Sequence, residues 1–347
     1  MQADPPSARA DPETFRFRGI HPRLHLGTTS DRYAGWIGQI YSTERYAGRI
    51  TRRSRRLGGR TFTEEVLPVE SVEEYFEHFD VLEIDYTFYR PLLEEDGRPT
   101  TNLHVLREYA RHLRPGDRLV LKAPQAFFAR KLRRGEAMVP NPEYLDAGGF
   151  ARRFYEPARS ILGDALEGIL FEQEYQRKAD RVPPERMAED LDRFLGALPR
   201  DDVYHVELRT GAYLCRPVLE VLGARGAGLV FAHWTWLPPL REQLRRARGR
   251  FTSRAGWVVI RLLTPRGVRY EQAYAMAHPF DRLVEGMMTP GMVEDAVGIA
   301  RAAVNAGRDV DLLVNNRAAG NAPLLAREIA RRWLGTGKGT VPRRPGS

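Results

Sequence analysis

Eight short apolar runs recur along the chain and limit the folds open to it. They are 24–28 (LHLGT), 81–85 (VLEID), 118–122 (RLVLK), 168–171 (GILF), 204–208 (YHVEL), 228–232 (GLVFA), 257–262 (WVVIRL) and 310–315 (VDLLVN). Each is rich in Val, Ile and Leu and suits a strand buried on both faces, as in a parallel sheet. Segments of helical spacing lie between them, at 71–79, 102–113, 150–162, 184–198, 213–222, 239–247, 292–306 and 321–334. The first opens on a capping-box-like Ser71-x-x-Glu74. The fourth opens with proline, and Pro323 falls in the first turn of the last, where proline is tolerated.

Strands alternating with helices predict an α/β fold, either a (β/α)8 TIM-type barrel or a doubly wound sheet. The returns from helix to strand are brief (114–117, 163–167, 199–202, 307–309), whereas the chain wanders after strands (29–70, 86–101, 123–147, 263–289). The long loops therefore gather at the strand C-terminal ends, where barrel enzymes build their sites. Neither glycine fingerprint for nucleotides follows a strand, which favours the barrel. GTGKGT at 335–340 follows the last helix and reads as tail. The expected plan is one domain over 20–334 with long βα loops and a basic insertion near 45–60. A disordered segment 1–19 and a flexible tail 335–347 flank it.

Composition narrows the class. With 347 residues, 42% apolar and 29% charged, the chain is neither disordered nor fibrous. No run is long and apolar enough to span a membrane. Residues 1–19 lack the apolar stretch of a secretory leader, and Cys215 is the only cysteine, so a cytoplasmic location is expected. Cys215 itself reads as a small buried hydrophobe in a helix. The formal charge is +9, almost all of it arginine, since only Lys122, Lys131, Lys178 and Lys338 are lysines. Residues 45–60 hold seven arginines and no acid, and 241–254 hold six arginines and one acid. Arg52, Arg53, Arg55 and Arg56 are thus candidate contacts for nucleic acid. The alternative is a solvated loop.

Ionisable residues at the ends of buried strands need a reason. The second strand ends in Glu83 and Asp85, the third in Lys122, and the fourth runs into Glu172 and Glu174. The fifth carries Glu207 and Arg209, and the sixth is followed by His233, Trp234 and Trp236. The seventh carries Arg261, and the eighth ends in Asn315, Asn316 and Arg317. An internal ion-pair network filling the barrel top would account for them structurally. Their number also predicts a polar pocket. In a first chemistry Lys122, Arg209 and Arg261 bind an anion, Glu83 and Glu207 transfer protons, and Tyr89 and Asn316 position the substrate. In a second, Glu172, Glu207 and His233 hold a divalent metal, with Asp85 or Glu83 completing the shell. Aromatic residues near the same face, among them Tyr33, Trp36, Tyr89 and Trp234, suit stacking on bases or sugars, or else seal the loops.

The phrases GTTSDRYAGW (27–36), LEIDYTFYR (82–90), LKAP (121–124), HVELR (205–209), VVIRL (258–262) and VNNRAAGNAP (314–323) resemble the YecE-like barrel family, domain of unknown function 72. The resemblance spans roughly 22–334 and implies a TIM-type barrel without a known reaction. It carries over Tyr33 and Trp36, Glu83 with Thr87, Phe88 and Tyr89, Lys122 and Pro124, Glu207 and Arg209, Arg261, and Asn316. Several positions depart from the family pattern. Asp85 stands for asparagine, Glu172 for glutamine, and His233 sits about where aspartate is common. Leu263 and Thr264 replace His-Gly, Leu325 replaces asparagine, and 45–60 looks like an insertion. The chain reads as a divergent member.

Three functions follow. The first is an enzyme, of hydrolase type, acting on a phosphate-bearing or nucleic-acid substrate without a cofactor, with His233, Tyr33 and Trp36 among the substrate contacts. The second is a non-catalytic barrel that binds nucleic acid or protein through the arginine loop. The third is a divalent-metal hydrolase or isomerase.

Overall fold

The computed structural model describes residues 10–135 and 137–335. Its strands in chain order are β1 (Leu24–Thr29), β2 (Thr51–Leu57), β3 (Arg60–Val66), β4 (Val81–Ile84), β5 (Arg118–Lys122), β6 (Lys131–Arg134) and β7 (Ala137–Pro140). There follow β8 (Leu166–Gln173), β9 (Tyr204–Leu208), β10 (Gly228–Leu229), β11 (Phe231–His233), β12 (Trp257–Leu262) and β13 (Asp309–Val314). β2–β3 and β6–β7 are antiparallel hairpins. The other nine form one parallel sheet in the order β10-β9-β8-β5-β4-β1-β13-β12-β11. Both of its edges come from the run read as the sixth strand. β10 pairs with β9, β11 pairs with β12, and Val230 stands between them. Val230 N still donates to Val206 O at 3.0 Å. The fold is therefore a nearly closed nine-stranded parallel barrel ringed by helices, TIM-barrel-like in plan.

The two-residue period of a strand sorts the barrel interior into levels. Val81, Val120, Leu170, Val230, Val259 and Leu313 form a middle apolar cluster. Gly27 fits beside it because a Cβ there would lie 2.0 Å from Val81 O. Two residues further along the strands come Thr29, Glu83, Lys122, Glu172, Arg261 and Asn315, with Glu207 from β9. Two residues back lie His25, Arg118, Trp257 and Asp311, while on β9 His205, two residues before Glu207, is in register with Leu170 of the waist. Both ends of the barrel interior are polar, and its waist is apolar apart from His205.

The outer helices fall close to the expected segments. The helix Thr101–His112 buries Leu103, Leu106 and Tyr109. Asn321 caps Ala322–Leu334 by accepting from Leu324 N at 2.8 Å, and Pro323 sits in the first turn.

Several expectations need correction. The capping box is not made. Ser71 closes a 3-10 turn in helical conformation, and Glu74 instead accepts from Ser42 Oγ at 2.7 Å. Cys215 is half-buried and precedes the helix Arg216–Arg225 as its N-cap residue. The described part of the supposedly disordered start is packed. Phe17 is fully buried, Phe17 N donates to His78 O at 2.8 Å, and Arg18 pairs with Asp117 at 2.6 Å. Residues 1–9 and the tail beyond Gly335 lie outside the described residues. The basic insertion is the β2–β3 hairpin. It packs Leu57 and Phe62 onto a helix, Tyr270–Ala277, that the spacing of 263–289 did not suggest. No helix among the described residues is long and apolar enough to cross a membrane.

Candidate active site

The charged residues from separate strand ends converge. Arg261 grips Glu83 with two parallel bonds, Nε to Oε2 at 2.8 Å and Nη2 to Oε1 at 2.6 Å. Its Nη1 donates to Glu207 and lies 3.8 Å from Glu172. Arg209 bridges Glu207 at 2.7 Å and Glu172 at 2.6 Å. Lys122 meets Glu172 at 2.8 Å. Three cations and three carboxylates from five strands thus form one network. Each ion alone would cost several kcal/mol to bury, so the pairing is a condition of folding.

The carboxylates are not equivalent. Glu172 has three cations near it, Glu207 two, and Glu83 only Arg261 within 4 Å. Burial pushes every one of them up. For Glu172 the charges of Arg209, Lys122 and Arg261 overcome that and hold its pKa at about 2. For Glu207, Arg261 and Arg209 also overcome burial, and its pKa is lowered. At Glu83 burial outweighs Arg261 and Lys122, and its pKa is raised. Of the three carboxyls only Glu83 is raised.

Above the network lies a cavity of about 220 Å³ at the strand C-terminal ends. Glu83, Lys122, Glu172, Arg209 and Arg261 reach it, as do Asp85, Asn315, Arg317 and the rings of Phe88, Tyr89, Trp234 and Tyr270. Rings and cations alternate on its wall. Lys122 Nζ lies 3.9 Å from the Phe88 ring centre, Arg209 lies 4.7 Å from Trp234, and Arg317 lies 4.4 Å from Tyr270. Tyr89 stands at the rim, 68% exposed.

Not every expected site residue is here. Glu207 is buried beneath Arg209 and Arg261 and does not line the cavity. Asn316 points away from it. Its Oδ1 accepts from Trp36 Nε1 at 3.0 Å and from Ala322 N at 2.7 Å, tying the loop after β1 to the last helix. Trp36 is fully buried, and Tyr33 packs against it and Phe280. His233 falls on the outward parity of its strand, with Nε2 3.2 Å from Thr289 Oγ1. It therefore cannot join Glu172 and Glu207 as a ligand set. Among the described residues no three His, Cys, Asp or Glu side chains gather as a metal cluster.

The four hairpin arginines divide. Arg52 pairs with Glu65 at 3.0 Å and Arg55 with Glu64 at 3.0 Å, while Arg53 and Arg56 are exposed. Arg55 also donates to Tyr270 Oη at 2.8 Å, so the hairpin braces a wall of the cavity.

Asn315, Arg317 and Tyr270 also line the cavity, though the sequence reading did not assign them to a substrate. Parity held a signal for the first, since Asp311, Leu313 and Asn315 share the inward face. Asn316→Ala should test the structural role of its neighbour. It strands a buried indole N–H and a helix N–H, so a stability loss of about 2–4 kcal/mol is expected in urea unfolding. A loss under about 0.5 kcal/mol would show that these bonds carry no weight.

A barrel of parallel strands with a charged pocket at their C-terminal ends places the molecule among TIM-barrel-like α/β proteins. Within them, the chain belongs to the family described as protein of unknown function DUF72, whose model matches residues 25–346. A DUF72 protein of Thermotoga maritima is 13% identical with a TM-score of 0.51, over 90% of this chain and 98% of that one. One from Enterococcus faecalis is also 13% identical at 0.51, over 93% and 100%. These likenesses speak for the fold alone. No curated protein matches the chain.

Proposed function

We propose that the protein is an enzyme that exchanges a proton between Glu83 and a small anion-bearing substrate held in the cavity. Counting Gly228–His233 as one strand, we read the barrel as (β/α)8, the plan whose sites lie at this face. The observation that carries the proposal is the split among three neighbouring carboxyls. Glu83 is raised and, though buried, lines the cavity, Glu172 is held ionised, and Glu207 is lowered and does not line it. Carboxyls driven apart in this way divide the acid–base roles. Lys122 and Arg209 position Glu172, Arg261 positions Glu83, and Tyr89 closes over the ligand from the rim. Asn316 acts only by holding the loop end beside Asn315. The network neutralises its own cations, so a small ligand suits the cavity better than a polyanion.

The test is solvent deuterium uptake by a panel of small phosphorylated and carboxylated metabolites, followed by NMR. Uptake should occur for one chemical type and fall about 10²–10⁴-fold in Glu83→Gln. Uptake that persists in Glu83→Gln, or its absence across the panel with wild-type protein, would defeat the proposal.

A further inference from the structure

Six charges in and beneath the cavity floor pair within the network, and Arg317 and Asp85 on its wall stand outside it. Arg317 follows β13, its backbone N held by Asn315 Oδ1 at 2.9 Å. Its guanidinium stacks on Tyr270, and its Nε is buried without a hydrogen-bond partner. Tyr270 is fixed in turn by Arg55 of the hairpin, so the cation is held in place before any ligand arrives. Asp85 lines the same cavity, and only its backbone carbonyl is hydrogen-bonded. The rim ring of Tyr89 lines that cavity with it. A carboxylate that shares a cavity with an open aromatic ring is a setting for an ammonium group. A guanidinium with an unused donor is one for an oxyanion.

With Glu207 included, the site holds four cations (Lys122, Arg209, Arg261, Arg317) and four carboxylates (Glu83, Asp85, Glu172, Glu207). It complements a ligand of both signs. A cavity of about 220 Å³ holds roughly seven waters and falls below the range usual for drug-sized ligands.

We infer that the substrate is a small zwitterion, with its phosphate or carboxylate on Arg317 and its ammonium on Asp85. This deepens the proposed function and rests on the cavity being the substrate site. Its test reads binding alone, so it succeeds or fails separately from the proton role of Glu83.

Two matched pairs serve as probes in calorimetric titration near neutral pH: glucosamine 6-phosphate against glucose 6-phosphate, and 2-aminoethyl phosphate against ethyl phosphate. The amine member of at least one pair should bind about tenfold or more tightly. Asp85→Asn should erase that preference while leaving the amine-free partner unchanged. Arg317→Met should weaken both members. Equal affinities within both pairs, or no binding by any probe up to about 10 mM, would overturn the inference. A preference that survives Asp85→Asn would overturn it as well. The wild-type comparison needs no variant, so a misfolded mutant cannot shelter it. If the sugar pair alone discriminates, the ligand carries its two charges on a ring; if the ethyl pair alone does, on a short chain.

Discussion

Arg261→Met should lower the stability of the fold by about 3–5 kcal/mol near neutral pH, the range for removing one partner of a buried ion pair. The side chain is 2% exposed and bonds carboxylates on two other strands, both fully buried. Methionine fills much of the volume but leaves Glu83 and Glu207 facing each other without their shared cation. The pH response should also change. In the wild type the lowered Glu207 gives stability that is present above its unfolded pKa and lost as pH falls through the folded value. In the variant Glu207 keeps Arg209 but loses Arg261, so part of that contribution goes, while Glu83, already raised, is left to burial without its paired cation and its contribution is lost as pH rises. The deficit should therefore be widest at neutral pH and shrink on acidification. Adding Glu83→Gln removes one stranded charge and should restore part of the loss. Denaturant unfolding of the three proteins between pH 5 and 8 decides the matter. A single-variant loss below about 1 kcal/mol would mean the network is not holding the strands together.

The same residues show how far the sequence could be read. The buried strand runs were legible because parallel strands covered on both faces are continuous apolar runs, and a charge at their ends breaks the pattern. This found Glu83, Lys122, Glu207, Arg209 and Arg261. Which end residue turns inward depends on strand parity through the last residue. The reading stopped at Asn316 and His233, one residue past the inward positions. The 45–60 arginines read as a solvated or polyanion-binding loop because their acids, Glu64 and Glu65, arrive only across the β2–β3 turn. The brace from Arg55 to Tyr270 joins positions 215 residues apart. No local pattern encodes such a contact. Nor could the sequence tell which glutamate would be left with one cation, since that depends on how five strand ends meet.

Asp311→Asn should stabilise the protein at neutral to mildly alkaline pH by about 0.5–2 kcal/mol, in the range of favourable single substitutions. Asp311 lies at the opposite end of the barrel interior, 1% exposed, with Oδ1 lacking any hydrogen-bond partner. Burial drives its pKa well above the usual carboxylate value. Glu167, Asp80 and Asp309 add to that effect, and Arg118 opposes it. Arg118 is committed elsewhere, 3.5 Å from Glu167, 3.2 Å from His25 Nδ1 and stacked on Trp257. His25, pushed down to about 3 by burial and by Arg118, brings no positive charge. A raised carboxyl gives stability that is complete below the unfolded pKa near 4 and is lost as pH rises through the folded value. Asp80, raised to about 6 by burial, adds to the same trend between pH 4 and 6. Wild-type stability should therefore decline as pH rises from about 4 to 8 at this end of the barrel. The Asp311→Asn variant, whose amide has no proton to lose, should flatten that decline. Urea unfolding of both proteins across that range supplies the check. Parallel pH profiles for wild type and variant would show that Asp311 is ionised in the fold and that an unseen partner balances its charge.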